Sequence, residues 1–289
     1  MTLKVGVTTF PTDRSLAPAR LAREVEARGF DSLWFPEHSH IPASRLTRWP
    51  GATEADDLLP DYYSHLLDQI VGLSMAAAVT ERLLLGTGVT LIPQHDPIWL
   101  AKQIATLDHL SGGRVIIGAG FAWNKEQSAA HGIDFTNRRE ITRDYVGIMR
   151  ALWTQHPSSH EGNFARLEPS WAFPKPVQAG GPPILLGGGW GPKLMDHICD
   201  WSDGWMPISA RPSLASRLRI LHDAARARGR DPATLQVVVM GAVENASGLA
   251  NLADEGVDHA VLTIWDENPD DALRTLDRFE RVLRDLRGA

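Results

Sequence analysis

Cysteine is almost missing from this chain: Cys199 is the single instance in 289 residues. One thiol excludes an intramolecular disulfide, and the absence of any CxxC pair excludes a zinc ribbon or a dithiol redox site. Cys199 falls in MDHICDW, an apparent helix, where a lone cysteine behaves as a small buried hydrophobe and takes no function. Positive charge is also scarce. The 29 Lys and Arg are outnumbered by 35 Asp and Glu, for a formal net charge of −6, the opposite of the basic surface with which nucleic-acid binders meet phosphate. No stretch approaches the roughly 20 apolar residues of a membrane span, and MTLKVGVTTF lacks the apolar core and cleavage site of a signal peptide. KVGVTTFPTD also lacks the GxGxxG turn that a dinucleotide-binding open sheet places after its first strand. These absences predict a cytoplasmic protein that meets small molecules, with neither nucleic acid nor membrane as partner.

What the sequence does contain is alternation. KVGVTTF, SLWF, LLLGTGVTLI and VIIGAGF read as strands, followed by amphipathic segments at 17–28, 66–79, 96–110 and 138–153. PILLGGG, GWMPI, LQVVVMGA and HAVLTIW continue the pattern with helices at 193–201, 214–228, 246–255 and 270–286. Strand and helix in turn imply a parallel sheet. Eight equal units favour closure into a (β/α)₈ TIM barrel, a fold of about 250 residues, and we read residues 1–289 as one such α/β domain. Two segments are too long for ordinary connections: Ser39 to His65 after strand two, at the catalytic face, and Thr154 to Pro182 before strand five, at the opposite face. EGNFARLEPS within the second reads as a small structural hairpin. Asp96-Pro97 marks a helix start, and Gly29 and Gly112-Gly113 mark helix stops. Helix three repeats Ile98, Leu100, Ala101, Ile104, Ala105, Leu107 and Leu110 at helical spacing, predicting one buried face.

In such a barrel the carboxyl ends of the strands build the site. SLWFPEHSHIP therefore acquires a meaning: Leu33 to Phe35 belong to the wall, while Glu37 and His38 emerge at the mouth. A solvated loop or helix cap is the plainer alternative. His38-Ser39-His40 with Asp266 also resembles the HxH set of metal-dependent hydrolase barrels, but strands five and six end without a histidine and no metal is assigned. Glycines gather at three strand ends: Gly86 and Gly88, Gly118 and Gly120, Gly187 to Gly189 with Gly191. They admit close approach of a flat ring or, alternatively, tight packing inside the barrel. GGGWGPK runs a glycine turn into a helix and exposes N–H groups suited to phosphate, with Lys193 as a charge partner. Trp123, Trp190 and Trp265 lie at or beyond strand ends, as ring walls or as rim and core residues.

Taken together, SLWFPEHSHIP, LGTGVTLIPQHDP, LAKQIATLDHLSGGRVIIGAGFAWNKE and PPILLGGGWGPK resemble the bacterial luciferase-like monooxygenase superfamily, closest to its coenzyme F420-dependent oxidoreductase branch. The resemblance covers nearly the whole chain. It implies a TIM barrel, usually homodimeric, that binds a flavin or deazaflavin at the carboxyl ends of its strands, with a cis peptide at Gly88-Val89. It places Glu37 and His38 near the reactive carbon, Gly88 and Val89 behind the ring, Gly120 and Asn124 beside the cofactor, and Gly187, Gly188, Gly189 and Trp190 near its phosphate. Phe121 stands where sugar-phosphate dehydrogenases of this branch carry a glutamate, so that substrate class is not expected. The expected activity is hydride transfer between F420 and a small organic substrate, with His38 as acid/base and Glu37 supporting it. The alternatives are an FMN-dependent monooxygenase and a non-catalytic deazaflavin-binding protein. Arg45, Arg48 and Lys125 are candidates for the F420 tail.

Overall fold

A computed structural model describes residues 3–51, 58–208 and 214–288; part of the first predicted insertion, at 52–57, lies outside them. The strands are β1 (Lys4–Thr9), β2 (Ser32–Phe35), β3 (Leu84–Thr90), β4 (Val115–Ala119), β5 (Ser158–Glu161), β6 (Arg166–Ser170), β7 (Ile184–Gly187), β8 (Gly204–Met206), β9 (Gln236–Met240) and β10 (His259–Ile264). Eight of them close in parallel in the order β1-β10-β9-β8-β7-β4-β3-β2, while β5 and β6 form a separate antiparallel hairpin. The helices are α1 (Pro18–Ala27), α2 (Gln69–Ala77), α3 (Pro97–Ser111), α4 (Lys125–Ala130), α5 (Arg138–Thr154), α6 (Pro192–Trp201), α7 (Leu214–Ala227), α8 (Ala246–Asp254) and α9 (Pro269–Arg287). This is the predicted (β/α)₈ architecture. α4 is an addition to the sequence reading, and its six residues are too few to show a helical period.

The barrel wall sorts its residues by alternation. Val5, Val7, Leu33, Phe35, Leu85, Ile117, Leu186 and Val239 are buried in the layer shared with the surrounding helices. Their neighbours Trp34, Ile116, Leu185, Met206, Val238, Met240 and Val261 fill the interior. Trp34 dominates that filling, and Gly86 is glycine for this reason: a Cβ there would lie 2.1 Å from the indole. Beneath it, the Trp34 indole N–H donates to Ser32 Oγ (2.6 Å), which is hydrogen-bonded to His259 Nε2 (2.7 Å). Full burial drives the His259 pKa down to about 3, so the ring is neutral.

Local caps explain several boundaries. Asp96 accepts from the N–H groups of Ile98 and Trp99, with Pro97 at the first helical position. Gly112 ends α3 at φ 73°, the left-handed region that favours glycine. Buried Asp108, near the end of α3, accepts from the N–H groups of Val177 (2.8 Å) and Gln178 (3.1 Å). That anchors the long segment before β7 at the amino-terminal side of the barrel, as its position in the chain predicts. Cys199 lies in the core on α6.

Helix α3 departs from the expected single buried face. Leu100, Ala101, Ile104, Ala105 and Leu107 are buried, but Ile98 is exposed and Leu110 is 79% exposed. Trp99 beside them is 69% exposed, and Val71 and Met75 of the adjacent α2 are exposed too. No helix among the described residues is long and apolar enough to cross a membrane.

Candidate functional site

Four strands that neighbour one another in the barrel, β2, β3, β4 and β7, deliver most of the expected site residues at their carboxyl ends. At β2 the apolar wall stops at Phe35, and Glu37 and His38 follow it, half-buried. Gln69 of α2 holds this exit, donating to Phe35 O (2.6 Å) and accepting from Thr90 Oγ1 (2.7 Å).

Glu37 and His38 then part company. The Glu37 carboxylate accepts from the Leu91 N–H (2.6 Å) and is hydrogen-bonded to His95 Nε2 (2.7 Å), so it braces the loop after β3. Burial works against a charge on His95, but the hydrogen bond and field of Glu37 outweigh it and raise its pKa. The expected support of His38 by Glu37 is thus replaced by another contact. His38 Nδ1 is hydrogen-bonded to Gln127 Oε1 (2.9 Å), and the Trp123 indole N–H donates to His38 Nε2 (3.3 Å). The His38 pKa is lowered: desolvation is the largest cause, and the Gln127 bond and the charge of Glu37 only partly oppose it. His40 turns away, toward His131 by way of Ser39, and Asp266 accepts from Thr275, so the HxH set does not converge.

At β3 the Gly88-Val89 peptide is cis, as the resemblance implied, and the pairing with β4 shifts register between Thr87 and Thr90. Val89 accounts for two of the glycines. A Cβ on Gly120 would lie 2.5 Å from its side chain and one on Gly187 2.9 Å from it, while a Cβ on Gly88 would lie 2.8 Å from Met240. At Gly120 and Gly187 the lack of a side chain is therefore explained by internal packing against the stiff Val89, the plainer of the two sequence readings, whereas at Gly88 the contact is the flexible end of Met240, which can move aside.

The later glycines behave differently. Ideal Cβ atoms on Gly189 and Gly191 would meet nothing within 4 Å, and Gly188 sits at φ 144° with only Leu194 nearby. Gly191 precedes α6 and offers no side-chain cap, and Pro192 at the first helical position has no N–H, so the donors of this turn are the N–H groups of Lys193 and Leu194. Lys193 is exposed on the same turn. Trp190 is half-buried against Trp205, with ring centroids 4.9 Å apart. Nearby, Arg139 lies over the Phe121 ring at 4.6 Å, and Phe121 in turn packs on His197 of α6 at 5.7 Å. Burial lowers the Arg139 pKa, and its buried Nη1 has no hydrogen-bond partner.

Asn124 is wholly buried at the start of α4. Its Oδ1 accepts from the Gln127 backbone N–H (2.9 Å), but its Nδ2 has no partner. A buried donor left unpaired costs about 1–3 kcal/mol, so this amide is suited to a ligand acceptor. Glu126 clasps the insertion to α4: it accepts from the N–H groups of Leu46 (2.9 Å) and Thr47 (3.1 Å) and from Thr47 Oγ1 (2.6 Å). Arg45 lies over Trp123 and Lys125 over Phe135, each at 5.8 Å. Above His38 sits an aromatic cluster. Tyr63 lies 5.3 Å from both His38 and Phe10, and Phe10 stacks on Trp265 at 5.9 Å. Burial pushes the Tyr63 pKa up to about 12.

Gln127, Arg139, His95 and Tyr63 were not among the residues singled out from the sequence. For Gln127 a signal existed, because Asn124-Lys-Glu-Gln127 has the spacing of a capping box. The other three belong to loops or to a helix flank, where contact partners are set by the closed barrel.

A closed eight-stranded parallel barrel with polar groups gathered at the carboxyl ends of adjacent strands defines the (β/α)₈ class. Within that class the chain belongs to the luciferase-like monooxygenase family, whose model matches residues 13–280. It is 40% identical over 279 residues to an uncharacterised protein of Mycobacterium tuberculosis, covering 96% of this chain and 98% of that one. It is 28% identical over 229 residues to the F420-dependent hydroxymycolic acid dehydrogenase of the same organism, covering 78% and 57%. Among solved structures, an F420-dependent secondary alcohol dehydrogenase with an F420-acetone adduct superposes with a TM-score of 0.74 at 18% identity, covering 99% of each chain.

Proposed function

We propose that this protein is an F420-dependent oxidoreductase that transfers a hydride between the deazaflavin and a small organic substrate, as a cytoplasmic homodimer. The observation that carries this reading is the pairing of the buried, unpartnered Asn124 Nδ2 with the open Gly188–Gly191 cradle, beyond the ends of the neighbouring strands β4 and β7. These residues suit a phosphorylated tricycle: Val89 backs the ring, Asn124 donates to its polar edge, and the α6 N–H groups with Arg139 receive phosphate. Bound F420 supplies a ring carbon that exchanges a hydride, and the protein supplies the rest.

Proton handling falls to His38. It is neutral near pH 7, because burial lowers its pKa, and a neutral imidazole can take a proton from substrate. Tyr63 and Trp123 beside His38, with Phe10 behind Tyr63, favour an uncharged substrate with apolar surface. The dimer is supported by the exposed apolar side chains Val71, Met75, Ile98, Trp99 and Leu110 on the neighbouring helices α2 and α3.

A turnover screen tests the activity. Protein supplied with F420 and a panel of neutral alcohols should change the cofactor absorbance, and His38→Gln should lower kcat/KM by about 10²-fold or more. Turnover undiminished in His38→Gln would remove His38 from the chemistry.

A further inference from the structure

The contacts of His38 specify more than its location. Indole nitrogen is a donor and never an acceptor, so the bond from Trp123 to His38 Nε2 requires Nε2 to be unprotonated. A neutral ring must then carry its proton on Nδ1, where Gln127 presents Oε1. The other end of that amide donates to Ser39 Oγ at 3.3 Å. Ser39 Oγ is also hydrogen-bonded to His131 Nε2 (2.8 Å) and His40 Nδ1 (3.0 Å). Each link has one chemically consistent orientation: indole donor, imidazole acceptor, imidazole donor, amide acceptor, amide donor, hydroxyl acceptor.

We propose that Trp123 and Gln127 are positioning residues that hold the neutral His38 ring in its Nδ1–H tautomer, which leaves Nε2 as the one basic nitrogen of the ring; its lone pair takes a substrate proton when the substrate hydroxyl displaces the Trp123 N–H, held at 3.3 Å. This rests on the reading of His38 as the proton-handling residue. Protonating Nε2 with Trp123 in place would set two N–H groups against each other, so proton transfer and displacement of the indole donor go together, and in the absence of substrate the ring stays neutral. The titratable and charged groups around the ring include Glu37 and His40 on its own segment, Tyr63 from the insertion, Arg45 over Trp123, and His131 beyond Ser39. Glu37 is the anion in this set, and its carboxylate is engaged by Leu91 and His95. Gln127 is wholly buried, and it is its backbone N–H that completes the Asn124 cap. Changing its side chain therefore leaves that cap in place.

The test is nitrogen NMR of protein labelled with ¹⁵N-histidine, with His38 signals identified by their loss in His38→Gln. At pH 7 the native ring should show a protonated Nδ1 and an unprotonated Nε2. Gln127→Glu, which sets a carboxylate against Nδ1, should raise the His38 titration midpoint by about one unit or more. Trp123→Phe, which removes the opposing donor, should also raise it. In turnover, the acid limb of kcat/KM should move with each midpoint, a shift that a purely structural role would not produce. A native ring protonated on Nε2, or a midpoint unmoved in both variants, overturns the proposal. The histidine signals are read without cofactor, so failure here leaves the F420 reading standing, and failure to bind F420 leaves the tautomer result standing.

Discussion

At the residue scale, chemistry in this site is set by which polar atoms the fold leaves without partners. Asn124 is the clearest case, because its two amide atoms have different fates: Oδ1 caps α4 and Nδ2 is buried and unpaired. Asn124→Asp separates them, since a carboxylate can still cap the helix but cannot donate. We expect this variant to unfold at a lower temperature, because it buries a carboxylate, and its folded form to bind F420 about tenfold or more weakly in a fluorescence titration, the scale of one hydrogen bond lost. Unchanged affinity would mean that Nδ2 faces no ligand. The sequence made Glu37 and His38 visible as polar residues ending an apolar strand. It did not show that they would diverge, because their partners Leu91, His95, Trp123 and Gln127 lie 54 to 89 positions away, and no local period encodes such distances.

At the element scale, the strands and helices were legible because each carries its own signal. Asp96-Pro97 opens α3 and Gly112 closes it, both through local hydrogen bonding. α4 was missed because its signal is one capping pair. The glycines were legible as a pattern and ambiguous as a cause. Only the closed barrel shows that Gly120 and Gly187 admit Val89 while Gly189 and Gly191 face open space. A side-chain hydrogen bond reaching across β1 also joins His259 of β10 to Ser32 of β2 beneath Trp34, which makes a pH prediction. The unfolded ring takes up a proton below about pH 6.5, whereas the native ring stays neutral down to about 3. The native state therefore binds fewer protons in that window, and stability falls as pH drops through it. Denaturant unfolding should show the native protein losing about 1.4 kcal/mol more per pH unit than His259→Gln between pH 6 and 4. Equal slopes would contradict a neutral His259.

At the scale of the whole molecule, two surfaces remain apolar for different reasons: the aromatic cluster above His38 and the exposed side chains of α2 and α3. Substitution separates them. Trp99→Glu should convert a homodimer to a monomer in light scattering and leave F420 affinity within about twofold, because Trp99 lies on the outer helical layer. A native monomer would refute the dimer. The exposure of Ile98 and Leu110 could not be read from a helical period alone, since the same spacing serves a core and an interface. On the reading proposed above, the ends of β2, β3, β4 and β7 form one slot for a phosphorylated deazaflavin. Equilibrium titration of the purified protein with F420 and, separately, with FMN tests it most directly. We predict saturable F420 binding that FMN does not displace at equal concentration; binding of FMN alone, or of neither, would contradict the account.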